Sequence, residues 1–131
     1  MTKQKVRNDL VVDIVQKVLA GEKANNWDIS IVFIGCAKIK ELNKKFRKKD
    51  SSTDVLSFSG LEIKGGQERI GEIFICLEKI QENAQKDGQS FQKALNWAIS
   101  HSVLHLLGYD HEKSEKDAKK MRQKEEKYLK K

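Results

Sequence analysis

The segment from Ser90 to Leu107, SFQKALNWAISHSVLHLL, constrains the fold more than any other stretch of the chain. Phe91, Leu95, Ala98, Ile99, Val103, Leu106 and Leu107 recur at helical spacing and form a broad apolar face. A helix with such a face must be covered by other elements, so the sequence predicts a central helix over 90–107, ended by Gly108. With 131 residues, of which 38% are apolar, there is material for one modest core and one domain over 1–131. A multidomain enzyme, a collagen-like chain and a disulfide-built miniprotein are excluded. No run approaches the ~18 apolar residues of a membrane span. The basic start MTKQKVRNDL lacks the apolar region of a secretory signal, so a cytoplasmic address is expected.

Around the central helix the pattern alternates. Val6, Leu10, Val11, Ile14, Val15, Val18 and Leu19 predict a helix over 6–20, with Gly21 as its stop. WDISIVFI (27–34), TDVLSF (53–58) and IGEIFICL (70–77) read as strands. AKIKELNKKF (37–46) and residues 78–87 read as helices, the second closed by Gly88. The connection between the second and third strands carries Gly65-Gly66 at a turn and a short strand at 61–64. From Ser114 a last helix begins, with a thin apolar stripe of Ala118, Met121, Tyr128 and Leu129. Mixed helices and strands of this kind place the chain in the α+β or α/β class.

The formal charge of +7 favours a polyanionic partner but equally suits a lysine-rich soluble surface. Cys36 and Cys76 lie beside apolar runs and have no C-x-x-C partner. They are expected to pack as small hydrophobes, unbridged, rather than to build a zinc ribbon or a disulfide framework.

The chemistry concentrates in HSVLHLLGYDH, which holds all three histidines of the chain, His101, His105 and His111. Four residues advance a helix by about 400°, so His101 and His105 lie ~40° and one turn apart. Gly108 breaks the helix and can turn the chain back, carrying His111 towards the same point. Three neutral imidazoles suit one Zn2+ ion, or another divalent transition metal, with a fourth position open to water. The spacing matches that of metzincin proteases. Their general base, a Glu directly after the first histidine, is replaced by Ser102, which cannot accept the proton that peptide hydrolysis requires. Phosphodiester chemistry does not depend on that residue, because a metal-bound water can itself ionise near neutrality.

Beyond this segment the sequence resembles the YbeY family of rRNA maturation factors. HSVLHLLGYDH resembles the family's metal-binding motif, and ELNKKFR (41–47), STDVLSF (52–58) and GEIFIC (71–76) resemble three further family segments in order. The resemblance implies a bacterial α+β metalloprotein with helices on a small, mostly parallel sheet and a zincin-like metal site at the end of the central helix. It implies a single-strand-specific endoribonuclease acting in 3′-end maturation of small-subunit rRNA and in ribosome quality control. Its partners would be single-stranded RNA or rRNA and the small ribosomal subunit or assembly factors, not DNA or membrane. His101, His105 and His111 would hold zinc, and Arg47 corresponds to the family's functional arginine. A guanidinium there can present a planar donor fork to phosphate. The strand end LSFSG and Glu72 depart from the family's usual LSFPF-like and GDI-type forms, which bears on the groove wall rather than on the histidines.

Several residues keep two readings. Asp54 is a helix cap, a structural carboxylate or a support for a histidine, and Asp110 is part of the turn or such a support. Trp97 and Tyr109 are core or rim residues more than base-stacking platforms. The basic segment 116–131 is a solvated helix face or a track for phosphates. The alternative function is a non-catalytic assembly or RNA-binding factor in which metal only stabilises the fold. A fourth protein ligand would favour it, and a carboxylate such as Glu72 or Asp54 beside the metal would revive a protease.

Overall fold

The computed structural model describes residues 8–59, 69–108 and 115–129. Along the chain run α1 (Asn8–Gly21), β1 (Asp28–Phe33), α2 (Cys36–Arg47), β2 (Val55–Ser59), β3 (Ile70–Ile75), α3 (Leu77–Asp87), α4 (Phe91–Leu106) and α5 (Glu115–Leu129). The expected connecting strand at 61–64 and the Gly65-Gly66 turn lie outside the described residues.

The strands form one sheet in the order β1-β3-β2. β1 runs parallel to β3 from Asp28 opposite Ile70 to Phe33 opposite Ile75. β2 runs antiparallel to β3 from Val55 opposite Ile75 to Ser59 opposite Gly71. Among the described residues the sheet is therefore mixed, with one parallel and one antiparallel pair, not mostly parallel as the resemblance implied. The short connection from Ser59 to Ile70 permits only an antiparallel return, whereas the path from β1 to β3 passes through α2 and β2 and can restore the parallel sense.

Alternation along the strands divides the core in two. Ile73 and Ile75 on β3, with Val55, Ile29 and Ile31 against them, face the larger cluster. That cluster takes Val11, Val15, Val18 and Leu19 from α1, Ile80 from α3, and Leu95, Ala98, Ile99, Val103 and Leu104 from α4. Leu56, Phe58 and Phe74 point the other way, against Ile39 and Leu42 of α2. Each fully buried Ile or Leu contributes about 1.5–3 kcal/mol relative to exposure, and most of these sit on or against α4. That helix touches α1, α3, α5 and β2, and is central as its breadth of apolar surface requires. It starts at Ser90, whose side chain accepts the Lys93 N–H at 3.1 Å, a cap worth about 1 kcal/mol.

α5 docks by the expected stripe, with Met121 fully buried and Tyr128 nearly so. Its tip is held on α1, where the Tyr128 hydroxyl donates to Glu22 and the Lys124 ammonium lies 3.2 Å from the same carboxylate. Gly21 serves this contact. A Cβ there would overlap the Tyr128 ring, with Cζ at 2.8 Å. The glycine is required for close approach more than as a helix stop.

Because β1 and β3 are neighbours and each leads directly into a helix, Cys36 and Cys76 meet at the same end of the sheet. Their sulfurs lie 2.9 Å apart as free thiols. Cys76 is buried, whereas Cys36 is only half-buried and less enclosed than a packed hydrophobe. The hydrogen bond with Cys76, then burial, push the Cys36 thiol up from 9.0 to about 11. The fold thus favours the protonated thiol. Its stabilising contribution is full below pH 9 and is lost as pH rises towards 11. Alkylation of Cys36 by iodoacetamide is expected to be slow at pH 8 and to accelerate up to about pH 11. An acceleration centred near the ordinary thiol value in a mass-spectrometric time course would contradict this.

Candidate functional site

His101 and His105 occupy the last two turns of α4, as their spacing requires. Leu107 caps the helix, and Gly108 follows at φ +108° with its N–H donating to the His105 carbonyl at 3.0 Å. A positive φ of this kind costs glycine little, and the path of the chain beyond Gly108 lies outside the described residues. His111, Tyr109 and Asp110 lie outside the described residues. Among the described residues, no group of three or more His, Cys, Asp or Glu is gathered as a metal site would gather them.

The two rings differ in setting. His105 is exposed, whereas His101 is half-buried and held on two sides. The Trp97 ring stacks on it at 4.7 Å with an interplanar angle of 18°. Its Nδ1 meets the Glu125 carboxylate of α5 in a short contact. Glu125 is only 4% exposed, one of the few buried charged groups. Where Nδ1 donates to this carboxylate, Nε2 is left as the nitrogen with a lone pair for a cation. Histidines that bind metals are oriented in this way, by an acceptor on the nitrogen that does not bind. The described part of the donor set therefore fits zinc: two imidazoles one turn apart, one with its tautomer set by a buried carboxylate. Sequence reasoning missed Glu125. The available signal was its place in the register of Met121 and Tyr128, which puts it on the buried stripe of an otherwise charged helix.

The other singled-out residues fall around this core. Ser102 is buried and donates to the Ala98 carbonyl at 2.8 Å, an arrangement internal to the helix. Glu72, opposite Phe58 in the sheet, shares the face that packs on α2 rather than α4. Asp54 accepts from the Thr53 hydroxyl at 3.4 Å, and its carbonyl accepts the Cys76 N–H at 2.9 Å. Its side chain lines a cavity with Trp97. Arg47 approaches from the α2 side. Its guanidinium lies 4.5 Å over the Phe58 ring, and Nη2 donates to the Ser57 carbonyl at 2.8 Å. β2 thus faces both layers: α4 packs on it, and Arg47 bonds to it. Asn43 of the same ELNKKFR segment is buried and donates to the Ser51 carbonyl at 3.0 Å, tying the basic loop to its helix.

Fold and site together define a class: a small α+β protein with a mixed sheet, whose central helix ends in a pair of imidazoles, one held by a buried carboxylate. Comparison with known proteins narrows this class to a family. The model of the family Endoribonuclease YbeY matches residues 1–131, and the chain belongs to that family. Endoribonuclease YbeY of Thermodesulfovibrio yellowstonii is 46% identical over 102 residues, 77% of this chain and 64% of that protein, so this chain spans just under two thirds of that relative. The Thermosipho melanesiensis protein of the same name is 35% identical across 100% of this chain and 92% of its own length. The solution structure of TM1509 from Thermotoga maritima superposes with a TM-score of 0.63 at 30% identity, covering 95% of this chain and 83% of that one. No helix among the described residues is long and apolar enough to cross a membrane.

Proposed function

We propose that the chain is a metal-dependent, single-strand-specific endoribonuclease of the cytoplasm, acting in 3′-end maturation of small-subunit rRNA and in ribosome quality control. The observation that carries this reading is the clamped His101 ring, fixed by Glu125 and Trp97 one turn before His105 in the last turns of α4. His101, His105 and His111 would hold one Zn2+. When bound, the ion supplies Lewis-acid polarisation of a phosphoryl oxygen. Glu125 holds the proton at His101 Nδ1, and Trp97 shields one face of that ring from water. Ser102, committed to the Ala98 carbonyl, moves no proton. Arg47 donates from Nη2 to the Ser57 carbonyl, and its stacking on Phe58 fixes the plane of the guanidinium fork that a phosphate would meet.

The test is cleavage of labelled single-stranded and duplex RNA by zinc-loaded protein, with analysis of the product ends. Single-stranded RNA is expected to be cut and duplex spared; a 2′,3′-cyclic phosphate would identify the ribose hydroxyl as the attacking group. Arg47→Lys is expected to keep zinc stoichiometry and lower the cleavage rate about tenfold or more, because lysine lacks the planar fork. Zinc-loaded protein that cuts no RNA would sink the enzyme and leave a metal-stabilised assembly factor.

A further inference from the structure

Beside the histidines, α3, α4 and the segment before β2 enclose a cavity of about 340 Å³. Trp97 forms one wall and is 37% exposed although its ring stacks on His101. Asn83 and Asp87 line it from α3, Lys93 from α4, and Asp54 from the position just before β2. Lys93, Trp97, His101 and His105 recur every four residues, so cavity and imidazoles share one stripe of α4 with ~6 Å of rise between steps.

We propose that this cavity is a nucleobase subsite that receives one unstacked base of the RNA, with guanine preferred over uracil. The inference rests on the RNA-cleaving function proposed above. The volume sits at the lower end of the ~300–1,000 Å³ of small-molecule sites, suited to one nucleoside. Single-stranded RNA is read by splaying a base onto an aromatic ring and hydrogen-bonding its exposed edge. Trp97 supplies the ring, in contact with the candidate metal ligand, so a base lodged there brings its own phosphate towards the histidines. The two carboxylates decide the rest. They repel phosphate, so a base and not the backbone enters. They accept hydrogen bonds, so they favour an edge rich in donors. Guanine presents an imino and an amino group side by side to one carboxylate. Uracil presents one imino group flanked by two carbonyl oxygens, which a carboxylate repels. Lys93, one turn before Trp97, lies where it can neutralise the attached phosphate.

The experiment needs no cleavage. Indole N–H resonances of the full chain are followed while GMP, UMP or ribose 5-phosphate is added. The two tryptophans give separate signals, assigned with Trp27→Phe and Trp97→Phe. The Trp97 signal is expected to shift saturably with GMP, with UMP binding roughly tenfold more weakly and ribose 5-phosphate leaving it in place. Asp87→Asn or Asp54→Asn is expected to bring GMP and UMP within about twofold, as one charged acceptor is lost. A Trp97 signal that no nucleotide moves, or that ribose 5-phosphate moves equally, overturns the subsite. So does a guanine preference unchanged in both Asp variants. Base binding in a chain that cuts no RNA would instead refute the nuclease reading and leave the subsite standing.

Discussion

His101→Ala is expected to destabilise the protein by about 3 kcal/mol even without metal, whereas His105→Ala is expected to stay within about 0.5 kcal/mol of the parent. The two substitutions remove the same side chain from the same helix one turn apart. His105 is exposed, and its loss costs little beyond its chemistry. His101 is the imidazole that meets a nearly fully buried carboxylate, and its removal leaves Glu125 buried without that partner. The stacked contact with Trp97 goes as well. Urea denaturation of the metal-free variants measures the difference. Equal stability of the two would mean that the Glu125 contact contributes nothing to the fold. Both variants are expected to lose stoichiometric zinc and RNA cleavage. Glu125→Gln, which keeps an acceptor of the same length, is expected to retain most of the stability and weaken zinc binding about 10–100-fold. Isothermal titration with the metal alone reads that weakening without reference to activity.

Gly21→Ala is the second large effect, expected to cost about 3 kcal/mol although it adds a single methyl group at the end of a helix. On an ordinary exposed helix this exchange is neutral or stabilising, because glycine is the poorer helix former. Here the new Cβ falls on the tip of the Tyr128 side chain, and the clash is relieved by the ring leaving its buried seat against Glu22 or by a shift of α5. α5 also carries Glu125, so the same variant is expected to bind zinc more weakly despite its distance in sequence from the histidines. Tyr128→Phe serves as the control. It removes only the hydroxyl that donates to Glu22 and should cost about 1 kcal/mol with little change in zinc affinity. Thermal denaturation of the three proteins, followed by zinc titration, separates the two cases. An unchanged Tm for Gly21→Ala would show that α5 is not held as described.

Legibility followed the range of the physics. The eight elements of the described residues are readable because hydrophobic period is a local property, and where the flanking residues are described their boundaries shift by only a residue or two. The imidazole pair was readable for the same reason: a helix places residues four apart on one face whatever surrounds it. Arg47 was readable as a donor fork but not as a group already leaning on Phe58 and bonded to Ser57, because that depends on where β2 passes α2. The sequence leaves Trp97 as a core or rim residue and disfavours a stacking platform, whereas the structure leaves it 37% exposed beside a cavity. Its contact with His101 followed from helical spacing, but the cavity beside it depends on how α3 packs against α4. The parallel sense of the sheet was misjudged, since the direction of β2 depends on a connection rather than on its own residues.

By itself, the sequence determined the central helix, the histidine pair one turn apart near its end, and the family likeness, all of which reside in short stretches of chain. Only the tertiary structure decided that Glu125 meets His101 across 24 residues, that Gly21 makes room for Tyr128, and that Cys36 and Cys76 touch. Periodicity reports which face of an element is buried. It carries no information about which distant element covers that face, and one of several carboxylates on a charged helix becomes a buried partner only when packing removes its water.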